Sequence, residues 1–157
     1  MNYAEEIGKI LIEQNMDIAT VESCTGGLLS SKLTDVSGSS AYIKLNLVTY
    51  ANEAKENMLG VVITDEGVVS PNCAYQMAKG LQELTRSYIC VSTTGIAGPT
   101  GGTDEKPVGL MYSTIFTPNK YQTYEIRLDS NISRVEMKEK FTEEVLKNIY
   151  NFLKTWY

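Results

Sequence analysis

The chain has 157 residues, enough for one domain with a substantial core, because a chain of this size buries roughly 70% of the surface it exposes when unfolded. Its 14 Lys and Arg against 19 Asp and Glu give a formal net charge of −5, which argues against a broad nucleic-acid-binding face. The absence of histidine excludes Ser-His-Asp and Cys-His catalytic systems and removes the commonest zinc ligand. Any catalysis therefore falls to lysine, tyrosine, serine, cysteine or carboxylates.

The cysteines and the N-terminal residues indicate the compartment. Cys24, Cys73 and Cys90 form neither a CxxC pair nor an even disulfide framework. The first residues lack the basic and then apolar layout of a signal peptide, and no apolar run approaches the roughly 18 residues that span a bilayer. We expect a cytoplasmic protein in a reducing environment, with no membrane or nucleic-acid partner.

The first part of the chain alternates between helical and strand patterns. Apolar residues at helical spacing predict a helix over 3–14 that stops at Asn15. A buried strand is predicted over 17–22, and a short polar and glycine turn leads from it into a helix that carries Leu28, Leu29 and Leu33. A strand over 42–50 and a helix over 52–59 make a second strand-to-helix junction.

The middle of the chain begins with another helix. Ser70 and Pro71 are the residue types preferred at the cap and the first position of a helix, and the helical pattern ends near Arg86. An apolar strand over 88–93 follows and leads into residues 94–103, which are too rich in glycine for regular structure.

The last part predicts a hairpin and a long helix. Strands over 108–116 and 121–128 are joined through the turn at Pro118 and Asn119. The helix over 133–153 carries an apolar stripe formed by Val135, Phe141, Val145, Leu146 and Ile149. Strands that first alternate with helices and then pair as a hairpin predict one α/β domain over 1–157, a three-layer α/β/α sandwich with a mixed sheet.

Ser23 is a candidate nucleophile, because it lies where a strand ends and a helix begins, the usual ligand position of α/β folds. The helix-start amides of Cys24, Thr25 and Gly26 could hold an oxyanion. Alternatively, Ser23 or Thr25 only caps the helix, since both residue types are favoured caps. Cys24 is a competing nucleophile, but it has no histidine as its base, and a buried structural cysteine is favoured.

Lys55 is a candidate general base, since it follows the strand ending at Tyr50 by about one helical turn. Burial would lower its pKa toward neutrality, and a tyrosine hydroxyl could relay or orient the proton. By spacing alone, however, a lysine at a helix start is an ordinary surface group.

The stretch from Gly95 to Gly109 is the remaining candidate ligand loop. It lacks the Gly-Lys-Ser/Thr ending of a P-loop, which argues against an ATPase or kinase. Its glycines and prolines favour a rigid loop whose amides surround a planar or phosphorylated ligand, and the alternative is an irregular surface turn.

Taken together, these segments closely resemble the CinA C-terminal domain family, whose best-known members are nicotinamide-nucleotide amidohydrolases. The likeness extends over nearly the whole chain and weakens after Tyr112. It is carried by residues 22–27, 34–42, 48–55, 69–70 and 94–109.

The resemblance implies hydrolysis of nicotinamide mononucleotide to nicotinic acid mononucleotide and ammonia, in pyridine nucleotide salvage. Ser23 would be the nucleophile and Lys55 the base, aided by Tyr50, with no metal or organic cofactor. The substrate-binding residues it implies are Cys24, Thr25, Gly26, Gly27, Thr94, Gly95, Gly98, Gly101, Gly102, Arg134 and Lys138.

Two departures from the family pattern concern substrate binding. Relatives often carry an arginine pair near the start of the last helix, where this chain has Arg134 and Lys138, and lysine cannot make the planar two-point contact with phosphate. Residues 44–47 also lack the glycine pair that is common before Val-Thr-Tyr, which could reshape the pocket.

The sequence is also compatible with two other functions. One is a nucleotide-binding regulatory module of the competence or damage-inducible type with little catalysis, and another is an amidase for a different small amide. Many relatives have an additional N-terminal domain, so we expect this chain to be the stand-alone form. We also expect a homo-oligomer, most simply a dimer.

Overall fold

The computed structural model describes every residue from Met1 to Tyr157 as five α-helices, one 3-10 turn and five strands. In chain order the elements are α1 (Tyr3–Gln14), β1 (Ile18–Glu22), α2 (Leu28–Thr34), the 3-10 turn (Ser39–Ala41), β2 (Ile43–Val48), α3 (Asn52–Leu59), α4 (Pro71–Thr85), β3 (Ile89–Gly95), β4 (Leu110–Phe116), β5 (Tyr121–Arg127) and α5 (Arg134–Trp156).

The five strands form one mixed sheet in the order β2-β1-β3-β4-β5. β1 runs parallel to both β2 and β3, and Thr20 lies opposite Asn46 on one side and Val91 on the other. β4 is antiparallel to β3, and β5 closes the predicted hairpin with Tyr121 opposite Phe116. The carboxyl ends of the three parallel strands therefore meet at one edge of the sheet.

Helices cover both faces of the sheet and divide the core in two. The larger cluster joins α1, α2 and α5 to one face through side chains such as Leu11, Leu29 and Phe141. The smaller cluster joins α3 and α4 to the other face through Leu59 and Met77. The predicted three-layer α/β/α sandwich with a mixed sheet is confirmed. No helix has the length and apolar character needed to cross a lipid bilayer.

Most helix ends follow the predicted signals. Asn15 ends α1 in the left-handed conformation, with a φ of 53°. The Ser70 side chain caps α4 by accepting a hydrogen bond from the Cys73 amide. Ser133 caps α5 in the same way, by accepting from the Glu136 amide.

The predictions for one side chain and for three element limits require correction. Val135, predicted to lie on the apolar stripe of the last helix, is 67% exposed. Met137, Phe141 and Val145 define the inward face, and Val135 is about half a helical turn out of phase with Met137. The second strand ends at Val48 instead of residue 50, the fourth begins at Leu110 instead of residue 108, and the last helix continues to Trp156 instead of ending at residue 153.

Candidate active site

A cavity of about 260 Å³ lies at the carboxyl edge of the parallel strands. The turn after β1, the segment after β2, the loop after β3 and the start of α5 all contribute to it. Its lining residues are Ser23, Cys24, Tyr50, Gly95, Ile96, Ala97, Gly98, Thr100, Gly101 and Arg134. Seven of these are among the fourteen predicted site residues, so the fold brings half of the positions singled out from the sequence to this cavity.

Ser23 and Lys55 meet in this region, with 3.1 Å between Lys55 Nζ and Ser23 Oγ. Lys55 lies in the first turn of α3, and helical side chains tilt toward the helix N-terminus, which carries its amine back to the end of β2. There Nζ also donates to the carbonyl oxygens of Thr49 at 2.8 Å and Tyr50 at 3.2 Å. The surface alternative for Lys55 is wrong, since this residue is only 1% exposed.

Burial decides the protonation behaviour of Lys55. Removal from water lowers the pKa of its ammonium, and the nearby Cys73 and Cys24 thiols oppose this effect less strongly. No carboxylate forms an ion pair with Lys55 to offset the burial. The amine is thus shifted toward the neutral form that a general base requires.

Cys24 is unsuited to the role of nucleophile. Its side chain is buried, and burial is the main reason why the pKa of the thiol is raised to about 12. A cysteine acts as a nucleophile through its thiolate, which is scarce at neutral pH when the pKa is this high. The structural interpretation of Cys24 is the one that the environment supports.

The turn after Ser23 differs from the predicted helix start. α2 begins only at Leu28, and its N-cap is Gly27, whose φ of 100° is accessible to glycine but strained for other residues. Consequently Cys24, Thr25 and Gly26 lie in a turn, and the Gly26 amide is occupied by the Ser23 carbonyl at 3.0 Å.

Neither Ser23 nor Thr25 caps α2, so that alternative is also wrong. The amides of Cys24 and Thr25 donate no hydrogen bond within the chain. Cys24 lines the cavity beside Ser23, whereas Thr25 is fully buried, so the Cys24 amide is the one available to an anion there.

Glu22 takes over the capping role, and sequence reasoning missed it. Its carboxylate accepts hydrogen bonds from the amides of Gly27, Leu29 and Ser30 at 3.2, 2.9 and 2.9 Å. It also accepts from the hydroxyls of Ser30 and Thr25. The available signal was an acidic residue at the end of a buried strand and shortly before a helix, whose N-terminus favours negative charge.

Tyr50 and Arg134 form the outer wall of the cavity. The Arg134 guanidinium donates to the Tyr50 hydroxyl at 2.7 Å and to the Gly98 carbonyl at 2.8 Å. Tyr50 therefore reaches Lys55 through its backbone carbonyl, while its hydroxyl is directed to Arg134. The structure does not bring this hydroxyl to Ser23, where a proton relay would need it.

Two predicted residues of the glycine-rich loop do not line the cavity. The Thr94 hydroxyl is buried and donates to the Val68 carbonyl at 2.7 Å, so it ties the strand end to the segment before α4. Gly102 packs on the loop itself, since a Cβ there would lie 2.7 Å from the Val108 nitrogen. Both residues therefore stabilise the loop without lining the cavity.

Lys138 lies in a second cavity of about 390 Å³. It is lined by Thr25, Gly26, Gly27, Leu28, Ser31, Val135, Lys138 and Glu139. The Lys138 amine lies over the turn, because a Cβ at Gly26 would be 3.2 Å from its Nζ. Arg134 and Lys138 are one helical turn apart on α5 but line different cavities.

No group of three or more cysteine, aspartate or glutamate side chains is arranged to hold a metal ion. The chemistry that the site itself offers is that of an alcohol beside an amine.

The fold and the site define a three-layer α/β/α domain with a serine and a buried lysine at the carboxyl edge of its mixed sheet. The chain belongs to the CinA C-terminal domain family, whose model matches residues 1–153.

Among its relatives, a competence-damage inducible protein of Caldanaerobacter subterraneus is 46% identical over 137 residues, which cover 85% of this chain and 33% of that protein. One of Halothermothrix orenii is 43% identical over 154 residues, 96% of this chain and 37% of that protein. The chain thus spans about a third of the length of these relatives.

Solved structures agree with the fold. A competence/damage-inducible protein from Agrobacterium tumefaciens is 35% identical with a TM-score of 0.81, and the match covers 99% of this chain and 93% of that one. A competence damage-inducible protein from Klebsiella pneumoniae is 26% identical with a TM-score of 0.90, covering 99% and 97%.

Proposed function

We propose that this domain hydrolyses the carboxamide of nicotinamide mononucleotide to nicotinic acid mononucleotide and ammonia, as a step of pyridine nucleotide salvage. Ser23 attacks the amide carbon and Lys55 acts as general base. The observation that carries the proposal is the 3.1 Å distance between Lys55 Nζ and Ser23 Oγ in a site from which the lysine has lost its contact with water.

The hydrogen bonds of Lys55 support its role as a base. A neutral amine has two N–H donors and one lone pair. The carbonyl oxygens of Thr49 and Tyr50 accept the two donors, so the lone pair is left for the Ser23 hydroxyl. Proton transfer from Ser23 Oγ to Lys55 Nζ then produces the alkoxide that attacks the carboxamide.

The negative charge that develops on the carboxamide oxygen during the attack is stabilised by hydrogen-bond donors. The free amide of Cys24, directly after the nucleophile and at the same cavity, is the natural candidate. The cationic pyridinium ring of the substrate draws electrons from the amide carbon and favours the attack. Collapse of the tetrahedral intermediate expels ammonia, which takes its third proton from protonated Lys55, and water then hydrolyses the acyl-serine.

The outer wall, formed by Tyr50 and Arg134, binds the rest of the substrate. Tyr50 is 58% exposed and offers an aromatic face on which a pyridinium ring can lie by a cation–π contact. The Arg134 guanidinium lies at the same cavity and suits the substrate phosphate. In this proposal Lys138 has a lesser role, since it lines the neighbouring cavity.

The test is ammonia release from nicotinamide mononucleotide by the purified protein beside Ser23→Ala and Lys55→Ala variants. Circular dichroism verifies that each variant is folded. We expect both to lose turnover by about 10³-fold or more, because nucleophile and base act as one unit. A wild type that binds the nucleotide without releasing ammonia would instead support a regulatory binding module, and turnover of other small amides only would reassign the substrate.

A further inference from the structure

Glu22 is a fully buried carboxylate that directly precedes Ser23 in the chain. No lysine or arginine forms an ion pair with it, so its burial is offset by hydrogen bonds alone. Its hydrogen bonds form two sets: one leads to the start of α2 and the other leads to Ser23. We call these two sets the arm toward α2 and the arm toward Ser23.

The arm toward α2 satisfies the helix start. Oε2 accepts from the Ser30 amide at 2.9 Å and the Ser30 hydroxyl at 2.6 Å. Oε1 accepts from the Leu29 amide at 2.9 Å and, more weakly, from the Gly27 amide at 3.2 Å. This arm alone would make Glu22 a structural cap.

The arm toward Ser23 runs through two buried threonines. The Thr25 hydroxyl donates to Glu22 Oε1 at 2.5 Å and lies 2.9 Å from the Thr93 hydroxyl. Thr93 Oγ1 in turn accepts from the Ser23 amide at 3.3 Å, next to the 3.1 Å bond between that amide and the Thr93 carbonyl.

The carboxylate fixes the direction of this arm. The Glu22 carboxylate accepts every hydrogen bond it makes, so the single Thr25 proton must be directed to Glu22. Thr93 must then donate its own proton to Thr25 Oγ1, which turns the Thr93 lone pairs toward the Ser23 amide. The orientation of both hydroxyls, and with it the second acceptor of the Ser23 main chain, follows from Glu22.

We propose that Glu22 is a positioning residue that holds the main chain of Ser23 in line with Lys55 through the Thr25 and Thr93 hydroxyls. This role rests on the proposed function, in which Ser23 is the nucleophile. A displacement of the attacking atom by a fraction of an ångström is enough to slow such a reaction.

An amide cannot replace this carboxylate. In Glu22→Gln, an NH2 group at the Oε2 position would face the Ser30 amide, and the flipped rotamer would direct it at the Leu29 and Gly27 amides. In either orientation the NH2 group, which only donates hydrogen bonds, faces backbone N–H groups that also only donate. The variant is nearly isosteric, so it changes the hydrogen bonding with little change in packing.

A matched pair of threonine variants separates positioning from capping. Thr93→Val removes the hydroxyl that links Thr25 to Ser23. Thr20→Val removes an equally buried hydroxyl on the adjacent strand. The Thr20 hydroxyl lies 3.0 Å from the Ser30 hydroxyl, on the helix side of Glu22, and does not reach Ser23. Both are exchanges of a hydroxyl for a methyl group in the same sheet.

The readouts are kcat and KM for ammonia release from nicotinamide mononucleotide, the rate at which a fluorophosphonate modifies Ser23, and the thermal midpoint. We expect Thr93→Val and Glu22→Gln to lower kcat and the modification rate by about tenfold or more at nearly unchanged KM. Thr20→Val should stay within about twofold of the wild type in both rates at a similar loss of thermal stability.

The outcomes are distinguishable. If Thr20→Val and Thr93→Val lose rate equally, in step with their stability, Glu22 is only a helix cap and the positioning role is overturned. If the wild type neither releases ammonia nor reacts with the fluorophosphonate, the nucleophile itself, and hence the proposed function, is wrong. If Glu22→Gln does not fold, the two threonine variants decide alone.

Discussion

The two walls of the cavity are built in different ways. The inner wall is Ser23 with Lys55 buried behind it, and backbone groups or buried side chains hold both. The outer wall consists of Tyr50 and Arg134, whose side chains hold each other and are linked to the loop through the Gly98 carbonyl. Burial changes the pKa of Lys55 on the inner wall, whereas the outer wall stays open to solvent.

In the proposed function, the inner wall performs the chemistry and the outer wall binds the substrate. A base that must be neutral to accept a proton needs removal from water, which only a packed interior supplies. A residue that binds a charged substrate must instead be reachable and must keep its charge. Substitutions on the inner wall should therefore change kcat, and those on the outer wall should change KM.

The largest effect is expected for Lys55→Arg. Arginine keeps the positive charge but cannot lose its proton in a protein, so it cannot accept the Ser23 proton. We expect kcat for ammonia release to fall by about 10³-fold. The matched control is Lys138→Arg, which should leave kcat near the wild-type value. Substantial turnover by Lys55→Arg would show that Lys55 acts only through its positive charge and not as a general base.

The same base fixes the pH dependence. Since burial lowers the pKa of Lys55 from its ordinary value of 10.5, the neutral form is already populated below that pH. We expect kcat/KM to rise by about tenfold per pH unit below the Lys55 pKa and to level off above it. A profile that falls as pH rises through this range would contradict the assignment.

A smaller effect is expected for Arg134→Ala on the outer wall. Loss of the guanidinium should raise KM for nicotinamide mononucleotide by about 10- to 100-fold with a lesser change in kcat, because hydrogen bonds to charged groups contribute about 1.5–3 kcal/mol. Nicotinamide riboside, which lacks the phosphate, serves as the control. If its KM rises equally, Arg134 acts through Tyr50 or the loop and not through the phosphate.

The smallest effect is expected for Cys24→Ala. The thiol has a pKa of about 12 and contributes packing to the core, so kcat should stay within about threefold of the wild-type value. A modest decrease in the thermal midpoint should accompany the change. Loss of activity comparable to that of Ser23→Ala, in a folded variant, would reinstate the cysteine as nucleophile.

Much of the fold could be read from local patterns. The limits of α1 and α3, the Ser70 cap and the β4–β5 hairpin depend on spacing and turn residues within a few positions of one another, and each appears as expected. Val135 shows the limit of this approach, because an apolar residue about half a turn out of phase looks like part of the stripe until the inward face is known.

The sequence by itself therefore determined the element order, the sandwich architecture and the position of Ser23 at a strand end.

Only the tertiary structure decided which groups meet. Ser23 and Lys55 are 32 residues apart, and Tyr50 and Arg134 are 84 apart. Neither the 3.1 Å contact of the lysine nor the enclosure of Glu22 follows from local propensity, because both require two helical layers packed on one sheet. Burial sets the charge state of a side chain, and burial is a property of the assembled core.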